Sequence, residues 1–361
     1  MKKDIIAFIL VLFIFIFLFN SCSIKTKKYV LLENAPISLL KETTISEFFG
    51  SDYRTIALNG NNDYSIGNVN KIVKRLNNFF ILSDDNKIFQ FDDEGNYISL
   101  LNQIGFGPEE YTRIEDFDVY ESEGELIIWL ADFNSIKIYQ YNGEWKQTGK
   151  IKMSFIVNKF KILENHNILI MTGQRDLSLV LVNLNGDILD EYLQREIPYL
   201  TLKSVQFTLL DSLVIFPLGM SNDFVAYNLK AEKFINGSFV VNKKLINREK
   251  LLDMYKQFGY NFYEELKDQN YVKNLRKFGS KLVLEFSLKN QKYFILTSSM
   301  KQQTKLVSYN NETQLINDVT QGNSTKLLSS IYLSDSDDSL IFLEDPNELN
   351  DNYKIIEFFS Q

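Results

Sequence analysis

Side chains able to do chemistry are scarce in this 361-residue chain, and the scarcest narrow the possibilities most. There is one cysteine, Cys22, and one histidine, His166. A lone histidine excludes every multi-histidine metal site and leaves a single candidate for a histidine-based catalytic pair. It stands in Glu164-Asn165-His166-Asn167, a polar cluster between two apolar runs, and reads as a solvated hairpin turn. Carboxylates are plentiful: Asp84-Asp85, Asp92-Asp93-Glu94, Glu115-Asp116 with Asp118, and Asp335 with Asp337-Asp338. Paired carboxylates can hydrolyse glycosides or bind Ca²⁺. None of these clusters has calcium-loop spacing, and aspartates between strands also serve solubility and turn geometry. No metal site and no cofactor is therefore expected, Ca²⁺ being the one ion the acids leave open. The scarce arginines are the cations able to grip a carboxylate bidentately. Arg113 and Arg175 are the first candidates, because each lies in a connection between strands where a central funnel could be lined. Glu109 and Glu110 are the acidic candidates for the same pocket.

Cys22 carries a different chemistry. Lys2 and Lys3 form a positive start, Ile5 to Phe19 is unbroken apolar sequence, and Asn20-Ser21 precede the thiol. That order of charge, apolar core and small residues is a secretory signal. The apolar run is shorter than the ~20 residues a spanning helix needs. Its end at a cysteine resembles a bacterial lipobox, which implies a thiol that is lipidated and becomes the first residue of the mature protein. The alternative is a plain signal anchor with an incidental cysteine. With Cys22 as the anchor, neither a disulfide nor a thiolate catalyst remains, so the exported chain must rely on packing.

Composition supplies that packing. Hydrophobic residues make up 45% of the chain, with 29 Phe and 19 Tyr, enough for a large core. Pro is rare at 5 and Gly ordinary at 16, which argues against a collagenous or disordered chain. A formal net charge of −7 removes nucleic acid from the expected partners, since phosphate binding needs clustered Lys and Arg.

The elements that must position any site repeat. From about residue 70 a short apolar strand ends in a polar turn, a second strand follows, then a Gly-containing turn and a third strand. One copy is Phe79-Phe80-Ile81-Leu82, Lys87-Ile88-Phe89-Gln90-Phe91, a turn at Gly95, then Tyr97-Ile98-Ser99-Leu100-Leu101. Gly95, Gly143 and Gly186 recur at spacings of 48 and 43 residues, and weaker strand pairs continue the phrase to Phe359. Repetition at ~40–50 residues with about four strands per unit is the signature of a propeller blade. The expected fold is all-β: a six-bladed β-propeller with a helical insertion near residues 247–276, where Leu251, Tyr255 and Phe258 fall at helical spacing. Residues 1–21 are expected as the signal peptide, 22–36 as a lipidated tether and 37–361 as the propeller domain. Within the last, the stretch 37–58 is expected to supply an outer strand to the final blade, closing the ring and removing exposed edges.

The most distinctive phrase is Ile104-Gly105-Phe106-Gly107-Pro108-Glu109-Glu110-Tyr111, followed by Ile114-Glu115-Asp116-Phe117. It resembles the Gly-x-Gly-Pro-x-Glu-Tyr phrase of Bacteroidetes six-bladed β-propeller lipoproteins, relatives of the NHL-repeat propellers. The phrase lacks the lysine and third glycine of a phosphate cradle. The resemblance implies a fold, a location in the cell envelope, and a binding or scaffold role by analogy, in uptake of glycan or peptide. The implied partners are the membrane, through the N-terminal lipid, and an oligosaccharide, a peptide or an envelope protein. A propeller hydrolase or lyase using central carboxylates is the alternative. Surface-exported lipoproteins of that group often carry an acidic run after the cysteine. Ser23-Ile24-Lys25-Thr26-Lys27-Lys28 contains no acid, so the resemblance favours the periplasmic face of the outer membrane.

Overall fold

The computed structural model describes residues 29–35, 41–42, 52–59, 65–172, 177–194, 206–210, 212–241, 245–266, 268–278, 281–288, 291–298, 304–309, 327–334, 339–344 and 353–359. Cys22, Arg175 and the acidic stretch 335–338 lie outside the described residues.

Three strands come first: β1 (Tyr29–Ala35), β2 (Lys41–Glu42) and β3 (Tyr53–Ala57). Antiparallel four-stranded arrays then follow one another. The first is β4 (Val69–Arg75), β5 (Asn78–Ser83), β6 (Ile88–Asp92) and β7 (Tyr97–Leu101). The second is β8 (Asp116–Ser122), β9 (Glu125–Asp132), β10 (Ser135–Tyr141) and β11 (Trp145–Lys152). The third is β12 (Val157–Ile162), β13 (Ile168–Thr172), β14 (Leu177–Val182) and β15 (Ile188–Gln194). The fourth is β16 (Thr208–Leu210), β17 (Leu213–Pro217), β18 (Asp223–Asn228) and β19 (Lys233–Val241). Helices α1 (Arg248–Phe258) and α2 (Phe262–Leu266) precede the fifth array. That array is β20 (Tyr271–Phe278), β21 (Lys281–Leu288), β22 (Gln291–Ser298) and β23 (Thr304–Tyr309). The chain ends with β24 (Leu327–Ser334), β25 (Ser339–Glu344) and β26 (Lys354–Phe359).

This is an all-β propeller. Among the described residues its hydrogen-bonded sheets number five rather than the six expected. The reason is a parallel pairing of Val73 with Leu333 and Lys74 with Ser334, which joins β4 to β24 and fuses the first and last strand sets into one eight-stranded sheet. β3 pairs antiparallel with β26, so the N-terminal stretch supplies the outer strand of the last set, as expected. Tyr29–Ala35, which was assigned to the tether, is instead a fifth strand running parallel to β19. The helical insertion also stops earlier than expected: Asn247 caps α1 by accepting from Lys250 N at 2.9 Å, Gly259 ends it, and residues from Tyr271 onward belong to β20.

Packing between arrays explains the near-continuous apolar strands. In β5 all of Phe79, Phe80, Ile81 and Leu82 are buried. Successive side chains point to opposite faces of a strand. Phe80 and Leu82 accordingly join Phe117, Val119, Ile128 and Leu130 of the second array, whereas Phe79 and Ile81 join Ile341, Leu343 and Ile355 of the last set. Similar apolar layers join the second array to the third and the third to the fourth.

The repeated turn glycines differ in what they tolerate. Gly186 has φ +84, and a Cβ there would stand 2.2 Å from the Lys152 carbonyl oxygen of the preceding array. Gly143 has φ +77 but open space around it. Gly143→Ala should cost only the left-handed backbone penalty, about 1 kcal/mol. Gly186→Ala adds a backbone overlap and should cost about 2–4 kcal/mol. Urea denaturation of the two variants tests this, and equal losses would contradict it.

Candidate functional site

The first strands of neighbouring arrays lie against one another, β4 with β8, β8 with β12, and β24 with β4, so their side chains meet at the propeller axis. These strands carry charge where apolar residues would otherwise be expected: Lys71 in β4, Asp116 and Asp118 in β8, Lys159 and Lys161 in β12. The charges compensate one another. Lys71 Nζ stands 3.0 Å from Asp116, donates to the Phe117 carbonyl oxygen, and lies 5.3 Å from the Phe117 ring centroid. Lys159 Nζ lies 3.6 Å from the same Asp116, and Lys161 Nζ 3.2 Å from Asp118. Asp116 also accepts from the Phe160 N–H at 3.2 Å.

Burial and neighbouring charge set the protonation of this cluster. Desolvation lowers the Lys159 pKa, Asp116 opposes that, and the like charges of Lys71 and Arg276 add to it. Burial would raise Asp118, but Lys161, Lys71 and hydrogen bonds from Tyr120 and Val119 outweigh it and bring its pKa down to about 2. The cluster narrows the axis to a space of about 20 Å³, the size of roughly one water, bounded also by Gln206 and Phe207.

Above the constriction the axis widens into a cavity of about 410 Å³. Its walls are the opening residues of β4 and β12, with Asn70, Lys71, Asn158 and Lys159, and the connections bearing Asp84, Asn86 and Arg113 to Asp116. Leu82 and Met171 are apolar contributors. The connections are held firmly. Asn86 Oδ1 accepts from Ile114 N at 3.0 Å, and Asp132 accepts from Arg113 N at 3.2 Å and Thr112 Oγ1 at 2.7 Å. Such a lining provides fixed donors and acceptors, and the volume falls in the range of small-molecule sites.

Of the anticipated pocket residues, Arg113 does line this cavity, with its Nε 3.0 Å from Glu115. Glu109 and Glu110 do not belong to the described lining. The Glu110 carboxylate turns into its own loop, accepting from Gly107 N at 2.7 Å, and a Cβ on Gly105 would fall 1.9 Å from it. The Glu109 carbonyl accepts from Tyr139 at 2.8 Å, and the Glu110 carbonyl accepts from Lys137. Tyr111 reaches the carbonyls of Asn86 at 2.9 Å and Leu101 at 3.1 Å. The glycine-proline phrase therefore staples the first array to the second. His166 occupies an exposed turn with φ +63, as read from its neighbours.

Asp84, Glu115 and Asp116 share the cavity wall, whereas other acids are engaged elsewhere. Asp92 caps its own turn through Glu94 N and Asn96 N, Asp93 pairs with Arg54 and Lys74, and Asp85 pairs with Lys87 at 2.5 Å. Among the described residues no three Asp, Glu, His or Cys side chains converge as a metal site, and no helix is long and apolar enough to cross a membrane. Sequence reading passed over Lys71, Asn158 and Lys159. The available signal was a lysine in the opening strand of the first and third repeats, where a buried strand has no solvent for its charge.

Comparison with known proteins agrees with the architecture. The chain is similar to the crystal structure of a Bacteroides fragilis protein described as exported, with 15% identity, a TM-score of 0.71, and coverage of 92% of this chain and all 100% of that one. A Bacteroides caccae protein of unknown function is similar at 11% identity and a TM-score of 0.41, covering 66% of this chain and 81% of its own. No curated protein matches the sequence. The family pattern described as a domain of unknown function, DUF4934, matches residues 29–356, nearly the whole chain, and the protein therefore belongs to the DUF4934 family.

Proposed function

We propose that this chain is a lipid-anchored binding protein of the cell envelope, which holds a polar ligand in the axial cavity. Cys22 carries the lipid, and the acid-free Ser23–Lys28 segment favours the periplasmic face of the outer membrane. We count the ring as six blades. The two halves of the eight-stranded sheet sandwich an apolar layer of Ile72, Phe79, Ile81, Ile341 and Ile355, like other neighbouring arrays, and their strands pair with each other through β4 and β24.

The observation that carries the reading is the 410 Å³ cavity on the axis, built from three arrays and closed below by paired charges. Binding is favoured over hydrolysis by the state of the carboxylates. A glycosidase needs one carboxylic acid kept protonated near neutral pH. Here two of the cavity's three carboxylates are held by cations, Asp116 by Lys71 and Lys159 and Glu115 by Arg113.

The test uses full-length protein in detergent and in cells. Cys22→Ser should move the protein from the membrane fraction to the soluble fraction. Asn158→Trp, which fills the cavity, should weaken retention on an array of oligosaccharides and short peptides by about tenfold or more. Leu184→Trp, on an exposed outer turn, should not. Retention indifferent to Asn158→Trp would sink the reading.

A further inference from the structure

Phe133 has an unusual backbone in a turn that is hydrogen-bonded to segments of the axial cavity's wall. It is the first of two residues joining β9 to β10, since Asp132 and Ser135 pair directly. Its φ is +53, a conformation that such loops normally give to Gly, Asn or Asp. It is also 49% exposed, so core packing does not repay the strain. Both flanks are tied to the cavity wall. Asp132 accepts from Arg113 N at 3.2 Å, and the Phe133 carbonyl accepts from Val157 N, one residue before Asn158, at 2.7 Å. Leu76 has a similar φ of +51, but it follows the far end of β4 and no cavity-lining residue adjoins it. Strain retained in such a turn points to a function for the side chain.

The lining indicates what an aromatic there would meet. Its charged residues, Lys71, Arg113 and Lys159 against Asp84, Glu115 and Asp116, are three and three and cancel. Arg113, Lys71 and Lys159 already face carboxylates, so an anionic ligand would have to displace an existing pair, and the Asp84 carboxylate is engaged by Asn68 Nδ2 at 2.8 Å. What remains on offer is neutral: the amides of Asn70, Asn86 and Asn158. Asn158 Oδ1 is shielded from solvent and accepts no hydrogen bond from the protein. A buried acceptor is stabilised by a ligand that donates.

We infer that the ligand is a neutral oligosaccharide, with hydroxyl groups of one ring meeting the asparagine amides and the apolar C–H face of the adjoining ring resting on Phe133. This rests on the axial cavity being the binding site. Hydroxyls donate and accept without net charge, and a pyranose chain combines them with a flat apolar face.

The full-length protein in detergent should be titrated with short neutral oligosaccharides, their monosaccharides, oligomers containing uronic acids, and short peptides. A neutral oligosaccharide should bind about fivefold to tenfold more tightly than its monosaccharide, the gain expected of one aromatic contact. Phe133→Gly should erase that gain while leaving the monosaccharide affinity and raising thermal stability, because glycine accepts the left-handed backbone. Phe133→Tyr should restore it, and Leu76→Gly should relieve strain with no change in binding. Retention of peptides or uronic oligomers alone, no retention of any neutral oligosaccharide, or an oligosaccharide affinity indifferent to Phe133→Gly would overturn the inference. If Asn158→Trp abolishes binding while Phe133→Gly is silent, the Phe133 contact is wrong and the cavity stands. If both are silent, the cavity itself is wrong.

Discussion

Glu357→Ala should destabilise the protein by about 3–5 kcal/mol, the cost of breaking a buried charge network at its centre. Glu357 is fully buried in β26. One of its oxygens accepts from Arg54 Nη2 at 2.7 Å and Nε at 3.0 Å, and the other from Lys74 at 2.7 Å and Ser339 at 2.7 Å. Arg54 belongs to β3 and Lys74 to β4, so one carboxylate binds the N-terminal strand, the last strand set and the first array together. Asp93 reinforces both cations, accepting from Arg54 Nη1 at 2.6 Å and lying 3.2 Å from Lys74, and its own pKa is lowered mainly by the Arg54 hydrogen bond. The loss should therefore be regional as well as global. Urea denaturation measures the first, and hydrogen exchange should find β3 and β26 opening before the second array. An exposed pair such as Glu144 and Lys146 provides the control, and its removal should leave stability unchanged. A Glu357→Ala midpoint close to wild type would show that the ring closes without the latch.

Asp116→Asn should cost a comparable amount, about 3–5 kcal/mol near neutral pH, because it strips the shared counter-charge from Lys71 and Lys159. Asparagine keeps the shape and an acceptor for Phe160 N, which separates the loss of charge from the loss of packing. The variant's stability should also depend more steeply on pH than that of the wild type. Lys159 already has a folded-state pKa below the ordinary 10.5, and losing Asp116 lowers it further. The folded lysine then sheds its proton before the unfolded one does. The unfolded state binds more protons in that window, so stability rises as the pH is raised toward 10.5. Denaturation midpoints across that range would reveal the recovery. A flat profile would mean that water or another anion has taken the place of Asp116.

Local features were readable without coordinates because they depend on neighbours in sequence. The turns at Gly95, Gly143 and Gly186 need positive φ, which glycine supplies wherever the chain goes next. The strand pairs between them follow from apolar runs of the right length, and Leu251, Tyr255 and Phe258 marked α1 by their spacing. His166 was correctly read as a turn residue for the same reason.

Features with distant partners were misread or missed. Tyr29–Ala35 looked like a tether because its partner strand, β19, lies some two hundred residues later. Glu109 and Glu110 looked like free acids because composition does not reveal that the loop glycines fold it back around a carboxylate. The sequence by itself determined the repeating strand-and-turn unit and, with its single histidine, the exclusion of multi-histidine metal sites. Only the tertiary structure decided that Lys71, Asp116 and Lys159, each more than forty residues from the next, form one cluster beneath one cavity. Their contact exists only once successive arrays have packed around an axis. A charge in an apolar strand is a local anomaly until ring geometry brings up its counter-charge.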